Sequence, residues 1–236
     1  MASKNYRAEV VLYNGYFDCN DKLKPSAIFM LFQDIASIHG EEMGVGFEAM
    51  VKSGYYWVVT RVKYDVLIQP QVYEKVIIET WPHAPGRVDF DRDFLITNTS
   101  GEVLIKGTSK WCIISTETRK LVPISNINYL TEFDSKINYE ERFLRTPSVE
   151  NFGTPVFTHK VTYNEIDHNK HLNNTHYADY VFNAVCGKLS SHVEISFIAE
   201  CKLGDEIEVF KMKNESGETL ISGYVNGEIK FSAMVK

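Results

Sequence analysis

Two segments of this chain carry one apolar stripe at helical spacing, and each is followed by β-patterned stretches parted by turn residues. That recurrence constrains the fold most, because a helix with one apolar face and strands with alternating faces must cover each other. In the first segment, opening at Pro25, the residues Ile28, Leu31, Phe32, Ile35 and Ile38 share a face, and Gly40 reads as the stop. In the second, Tyr177, Tyr180, Val181, Ala184, Val185 and Leu189 do the same, so the spacing predicts a helix to about Leu189. Strands are expected over residues 8–17, 55–68, 72–81, 87–98 and 102–115 with a short piece near Leu121, and again over 156–164, 193–201, 207–212, 219–225 and 228–235. Asn98-Thr99-Ser100-Gly101, Asn214-Glu215-Ser216-Gly217 and Asn226-Gly227 read as the hairpin turns.

The two halves can be laid over one another residue by residue. Asp18-Cys19-Asn20-Asp21-Lys22-Leu23 lies without gaps on Asp167-His168-Asn169-Lys170-His171-Leu172, where Asp, Asn and Leu coincide and His171 meets Lys22. A second alignment puts residues 62–76 on 193–207, and there Glu200 meets Gln69. One half therefore holds Asp, Asn, His and Glu where the other holds Asp, Asn, Lys and Gln, as in a duplicated unit that keeps its chemistry in one copy. The expected organisation is a first domain over 1–125, a linker over 126–155 and a second domain over 156–236. In the linker Asn, Glu, Asp, Ser and Arg dominate, Pro147 and Pro155 punctuate, and a helical turn is expected at residues 139–143.

The chemistry concentrates ahead of the second helix. Residues 167–174 gather a carboxylate, two imidazoles and three carboxamides, poor material for a core. Asn173 or Asn174 is a suitable N-cap, since a short side-chain oxygen can accept from the first-turn amides. The cluster thus arrives at a helix N-terminus, where free N–H groups and the positive dipole end favour developing negative charge. These residues read as an active site, against plainer readings. Asp-x-Asn before a helix is also a common cap, and a lone histidine is commonly structural. His168-x-x-His171 offers metal ligands, but nothing fixes them on one helical face. His168 and His176 are expected to face solvent or neighbouring chain. Cys201 offers a thiol, yet it shares strand parity with the apolar residues from Val193 to Ala199, which suggests packing.

Net charge is −6, which argues against a general nucleic-acid binder. No apolar run is long enough for a spanning helix, and no signal-peptide core precedes the first strand. Cys19, Cys112, Cys186 and Cys201 show no paired spacing, as expected of reduced thiols in a cytoplasmic protein rather than a disulfide frame or zinc site.

Residues 167–177, Asp-His-Asn-Lys-His-Leu-Asn-Asn-Thr-His-Tyr, resemble the Asp-x-Asn-x-His-(Val/Leu)-Asn-Asn-x-x-Tyr signature of the acyl-acyl carrier protein thioesterases. Trp57-Val58-Val59-Thr60-Arg61, Glu79-Thr80-Trp81, Arg92-Asp93-Phe94, Thr108-Ser109-Lys110-Trp111 and Thr118-Arg119-Lys120-Leu121 agree with it, and Glu200-Cys201 stands where that family carries a Glu-Cys pair. The resemblance runs from about Tyr6 to Val235 and, lacking a transit peptide, is nearer the bacterial members. It implies an α+β fold of two tandem hotdog domains, each an antiparallel sheet wrapped around a central helix. It implies a cofactor-free hydrolase of the EC 3.1.2 class that releases fatty acid from acyl carrier protein, with no metal. Asp167, Asn169, His171 and Glu200 are then the candidate catalytic residues, with Cys201, Asn173 and Asn174 as further candidates. His171 would serve as base, Glu200 would share or take over that task, Asp167 would orient and polarise or act on the carbonyl directly, and Asn169 would fix geometry. Trp57 and Met30 are most simply core, and by the resemblance would line the acyl tunnel of the first half. An acidic carrier protein calls for a basic patch, for which Lys106, Lys110, Arg119, Lys120 and Lys202 are candidates. The rival readings are a hotdog thioesterase for coenzyme A esters and a non-catalytic acyl-binding module. A monomer, as a pseudo-dimer of its halves, and a homodimer both suit the fold.

Overall fold

The computed structural model describes residues 3–149, 153–188 and 191–236. The chain forms two compact units, one from the residues up to Leu23 with Met30–Phe143, the other from Lys24–Phe29 with Leu144–Lys236.

β1 (Tyr6–Val11) leads to helix α1 (Pro25–Glu42), which counts with the first unit from Met30 on, and that unit continues with a short helix α2 (Phe47–Lys52), then β2 (Tyr55–Val66), β3 (Lys75–Pro82), β4 (Asp89–Asn98) and β5 (Val103–Ser115). The strands are antiparallel in the order β1-β3-β4-β5-β2. β1 is shorter than its composition suggests because Asn14-Gly15-Tyr16 close a 3-10 turn. β3 starts late because Tyr73 takes a left-handed φ of 66° while its amide donates to Leu12.

The stripe of α1 is buried at Ile28, Leu31, Phe32 and Ile35, but it continues to His39, while Ile38 is 45% exposed. Met30 lies off the stripe and is 42% exposed, so it is not core. The Phe32 ring stacks on Phe94 of β4 at 4.3 Å, and a Cβ on Gly107 of β5 would meet that ring at 2.3 Å. The helix therefore lies close against the sheet face. α1 does not stop at Gly40. It runs on to Glu42, and Gly44, at φ 72°, makes the left-handed turn that an L side chain resists. α2, which periodicity does not announce, begins where Glu41 Oε1 accepts the Phe47 amide at 2.8 Å.

Beyond β5 and a 3-10 turn at Ile124–Asn126, residues 127–149 form neither helix nor strand, and the helical turn expected at 139–143 is absent. The segment is nonetheless tied to its surroundings. The Asn138 amide side chain donates to the Phe94 and Gly107 carbonyls at 2.8 and 2.9 Å, Trp81 Nε1 donates to the Lys136 carbonyl at 2.7 Å, and the Tyr139 hydroxyl donates to Asp65. Further on, the Thr146 and Val149 amides donate to the hydroxyls of Ser196 and Ser222. Carbonyls and side chains of the sheet supply the partners that a helix would otherwise provide.

The second unit repeats the pattern with β6 (Phe157–Lys160), α3 (Asn174–Ala184), β7 (His192–Phe197), β8 (Glu206–Lys213), β9 (Thr219–Val225) and β10 (Glu228–Val235). Its strands are antiparallel in the order β6-β8-β9-β10-β7, the order of the first unit. Asn226 and Gly227, at φ 50° and 80°, form the tight hairpin turn that pair favours. α3 is shorter than its stripe because Cys186 and Gly187 turn left-handed just after Val185; Leu189 lies outside the described residues. Tyr177 of α3 packs edge-on against Phe231 and Phe197, with ring centres 5.4 and 5.5 Å apart. Each unit is thus an antiparallel sheet packed on a helix. Among the described residues no helix is long and apolar enough to cross a membrane.

Candidate active site

A tight loop delivers the polar cluster to α3. Asp167 Oδ1 accepts from the amides of Asn169 at 2.8 Å and His171 at 3.2 Å, while the Asp167 amide donates to the His171 carbonyl at 2.8 Å. Lys170 takes a left-handed φ of 67°, and Ile166 and Leu172 close the loop as an isolated bridge. Two further bonds fix its exit. Leu172 N donates to the Cys201 carbonyl, and Asn173 N to the Glu165 carbonyl, each at 2.9 Å. Asn173 is the N-cap, its Oδ1 accepting from the Thr175 amide and hydroxyl at 3.0 Å.

The same loop is built in the first unit. Asp18 Oδ1 accepts from the amides of Asn20 and Lys22 at 2.8 and 2.9 Å, the Asp18 amide donates to the Lys22 carbonyl, Asp21 is left-handed, and Phe17 bridges Leu23. The bonds of the Asp167 carboxylate therefore belong to the duplicated fold. What is added in the second unit is the side chain at the loop's end.

His171 Nε2 lies 3.1 Å from Glu200 Oε2. The imidazole is 19% exposed and the carboxylate 36%, so the pair is held by protein yet open to water. The Leu172–Cys201 backbone bond brings these two stretches together. Of the first-turn amides of α3, those of Thr175 and His176 go to Asn173 Oδ1 and the Asn173 carbonyl. The Asn174 amide has no acceptor among the described residues and stands as the available donor.

The other expected site residues fall differently. Asn169 is exposed and enters the loop through its amide. Cys201 is fully buried, its thiol hydrogen-bonded to the Tyr177 hydroxyl; burial raises its pKa, and that bond only partly opposes it. Such a thiol is a poor nucleophile. Trp57 donates from Nε1 to the Val45 carbonyl at 2.8 Å and packs edge-on to Phe90 in the first unit, while Met30 is exposed there. Of the basic candidates, Lys110 is held by Asp89 and Asp91 at 2.9 and 2.6 Å, and Lys106 lies 3.7 Å from Asp65. Among the described residues no group of three or more His, Cys, Asp or Glu is placed to hold a metal ion.

A second polar group beside the loop escaped the sequence reading. Glu165 is buried and accepts from Thr162 N and Oγ1 and from the Tyr180 hydroxyl, all at 2.7 Å, and lies 2.9 Å from His159 Nε2. Burial alone would raise its pKa, but His159, the two Thr162 donors and Tyr180 hold it down at about 2. The signal was present in the overlay of the halves, which sets Glu165 on Tyr16 and His159 on Val10.

Residues 3–130 match the acyl-ACP thioesterase N-terminal domain and residues 154–230 the acyl-ACP thioesterase C-terminal domain. A chloroplastic acyl-[acyl-carrier-protein] hydrolase from Cuphea viscosissima is 27% identical over 173 residues, covering 66% of this chain and 40% of its own. Oleoyl-acyl carrier protein thioesterase 1 from Arabidopsis thaliana is 24% identical over 226 residues, covering 86% of this chain and 62% of its own. The chain thus spans about half the length of these relatives. In structure it is similar to an acyl-ACP thioesterase from Bacteroides thetaiotaomicron, with a TM-score of 0.88 at 24% identity over 98% of this chain and 97% of that one. A 12:0-ACP thioesterase from Umbellularia californica gives 0.85 at 21% identity over 100% and 98%. The fold is the double hotdog. Matched in both its domains across most of its residues, the chain belongs to the acyl-ACP thioesterase family.

Proposed function

We propose that this chain hydrolyses acyl-acyl carrier protein to free fatty acid and carrier thiol, with the chemistry in the second unit. The observation that carries this reading is the contact of His171 Nε2 with Glu200 Oε2 at 3.1 Å beside the start of α3. His171 accepts a proton from the attacking water, and Glu200 stabilises the imidazolium that forms. The Asn174 amide polarises the thioester carbonyl, a donor position typically worth about 2.7–4 kcal/mol of barrier. Collapse of the tetrahedral intermediate breaks the C–S bond, and the proton held by His171 passes to the departing thiolate. Asp167 and Asn173 act by holding loop and helix start in register, and Asn169 through its amide. The first unit takes no acid–base part, because Lys22 and Gln69 stand where His171 and Glu200 would be.

The test is a hydrolysis profile on carrier-protein thioesters of graded acyl length beside the same acyl chains on coenzyme A. Faster turnover on the carrier supports the reading, and faster turnover on coenzyme A overturns the substrate assignment. His171→Ala should lower kcat about a hundredfold or more while melting at the wild-type temperature, and Lys22→Ala should leave kcat unchanged. Equal turnover in wild type and His171→Ala would reject the mechanism. Damage from Lys22→Ala equal to that from His171→Ala would reject the assignment of chemistry to the second unit.

A further inference from the structure

Glu165 costs the second unit a buried charge and the hydrogen bonds that satisfy it, and the fold itself does not require this. The first unit makes the point. The alignment that sets Asp18 on Asp167 also sets the 3-10 turn Asn14–Tyr16 on Tyr163–Glu165, and strand register agrees, Val10 facing Val76 as His159 faces Ile207. At the places of Glu165, His159 and Tyr180 the first unit carries Tyr16, Val10 and Leu31. The same turn, loop and helix form there with no charged group at these positions.

What the carboxylate adds is a brace on α3. Through its side chain Glu165 holds the Tyr180 hydroxyl at 2.7 Å, on the second turn of the helix, and through its carbonyl it holds the Asn173 amide at 2.9 Å, at the cap. One residue thus grips α3 at its start and further along, while His159 and Thr162 clamp the carboxylate from β6 and the following turn. We infer that Glu165, clamped by His159 and Tyr180, is a positioning residue that sets the start of α3, and with it the Asn174 amide, against the His171–Glu200 pair. Glu165 touches no reacting atom. Its effect is geometric, and a shift of about 1 Å at such a donor can cost on the order of a hundredfold in rate. The inference rests on the hydrolase reading for its kinetic part alone.

The experiment takes the full chain and the carrier thioester that wild type turns over fastest. Glu165→Gln, nearly isosteric, should lower kcat about tenfold or more with KM within about twofold, because the group acts on placement and not on substrate binding. Glu165→Asp, which restores the charge, should recover part of that loss. Amide exchange over residues 173–180 should quicken in Glu165→Gln, and this readout needs no substrate. Wild-type kcat in a folded Glu165→Gln protein, or unchanged exchange over 173–180, overturns the inference, as does an Asp variant no better than Gln. Should Glu165→Gln fail to fold, Tyr180→Phe removes only the hydroxyl. A severalfold lower kcat at unchanged KM then supports the inference, and wild-type kcat overturns it. Quickened exchange in Glu165→Gln with no hydrolysis by wild type would reject the proposed activity and keep the brace.

Discussion

Among single residues, Glu165 and His171 show how burial and partners divide similar chemistry into different work. Glu165 is surrounded by donors and held ionised down to about pH 2, which suits a fixed anchor and not a proton carrier. His171 and Glu200 meet at 3.1 Å with water in reach, which suits proton exchange. A carboxyl whose folded pKa lies below its unfolded one stabilises the fold above the unfolded value and loses that contribution as pH falls through the folded value. For Glu165 the window runs from the ordinary carboxylate value of 4.5 down to about 2. Denaturant unfolding at several pH values should therefore show wild type losing more stability across this window than Glu165→Gln does. Equal slopes for the two would mean that the carboxylate is not held ionised by its neighbours.

Among the elements, the Asp-x-Asn loop is a folding device used twice. Asp18 and Asp167 each receive two amides of their own loop, so Asp18→Ala and Asp167→Ala should each cost about 1 kcal/mol, as the loss of a helix-start cap does. Unfolding curves of the two variants give the comparison. A loss confined to Asp167→Ala would show that the loops are not equivalent. The Asp167 carboxylate, expected to orient the site, accepts from the backbone amides of Asn169 and His171 within its own loop. α1 teaches the companion lesson. Its apolar stripe is legible as far as Ile35 and Ala36, but a turn further on the buried position is filled by His39, because Arg92 of β4 needs an acceptor there.

For the molecule as a whole, a buried group in each unit sets a separate acid limit. His39 is fully buried, with Nε2 on the Ser3 carbonyl and Nδ1 3.0 Å from Arg92 Nη1. Burial lowers its pKa, the Ser3 bond opposes this and the Arg92 charge adds to it, leaving it at about 4. A base with a lowered folded pKa stabilises the fold above its unfolded value and loses that contribution as pH falls through the folded one, here from 6.5 to about 4. His39→Gln, whose amide can bond Ser3 and Arg92 without titrating, should flatten the fall in melting temperature across this higher window and leave the Glu165 window unchanged. A His39→Gln profile parallel to wild type between pH 6.5 and 4 would contradict it.

The sequence by itself determined the two-copy plan, the helix faces, most strand limits to within a few residues, and the gathering of Asp167, His171 and Asn173 ahead of α3. These follow from periodicity, turn chemistry and capping, all of which act over a few neighbouring residues. It could not determine where α1 and α3 stop, since left-handed turns at Gly44 and Cys186 decide that, nor the irregular course of residues 127–149, whose partners are carbonyls and side chains of the sheet far away in the chain. Only the tertiary structure could join His171 to Glu200 and Glu165 to His159 and Tyr180. Hydrogen bonds and burial are set by distance in space, and strand pairing alone decides which distant residues share it.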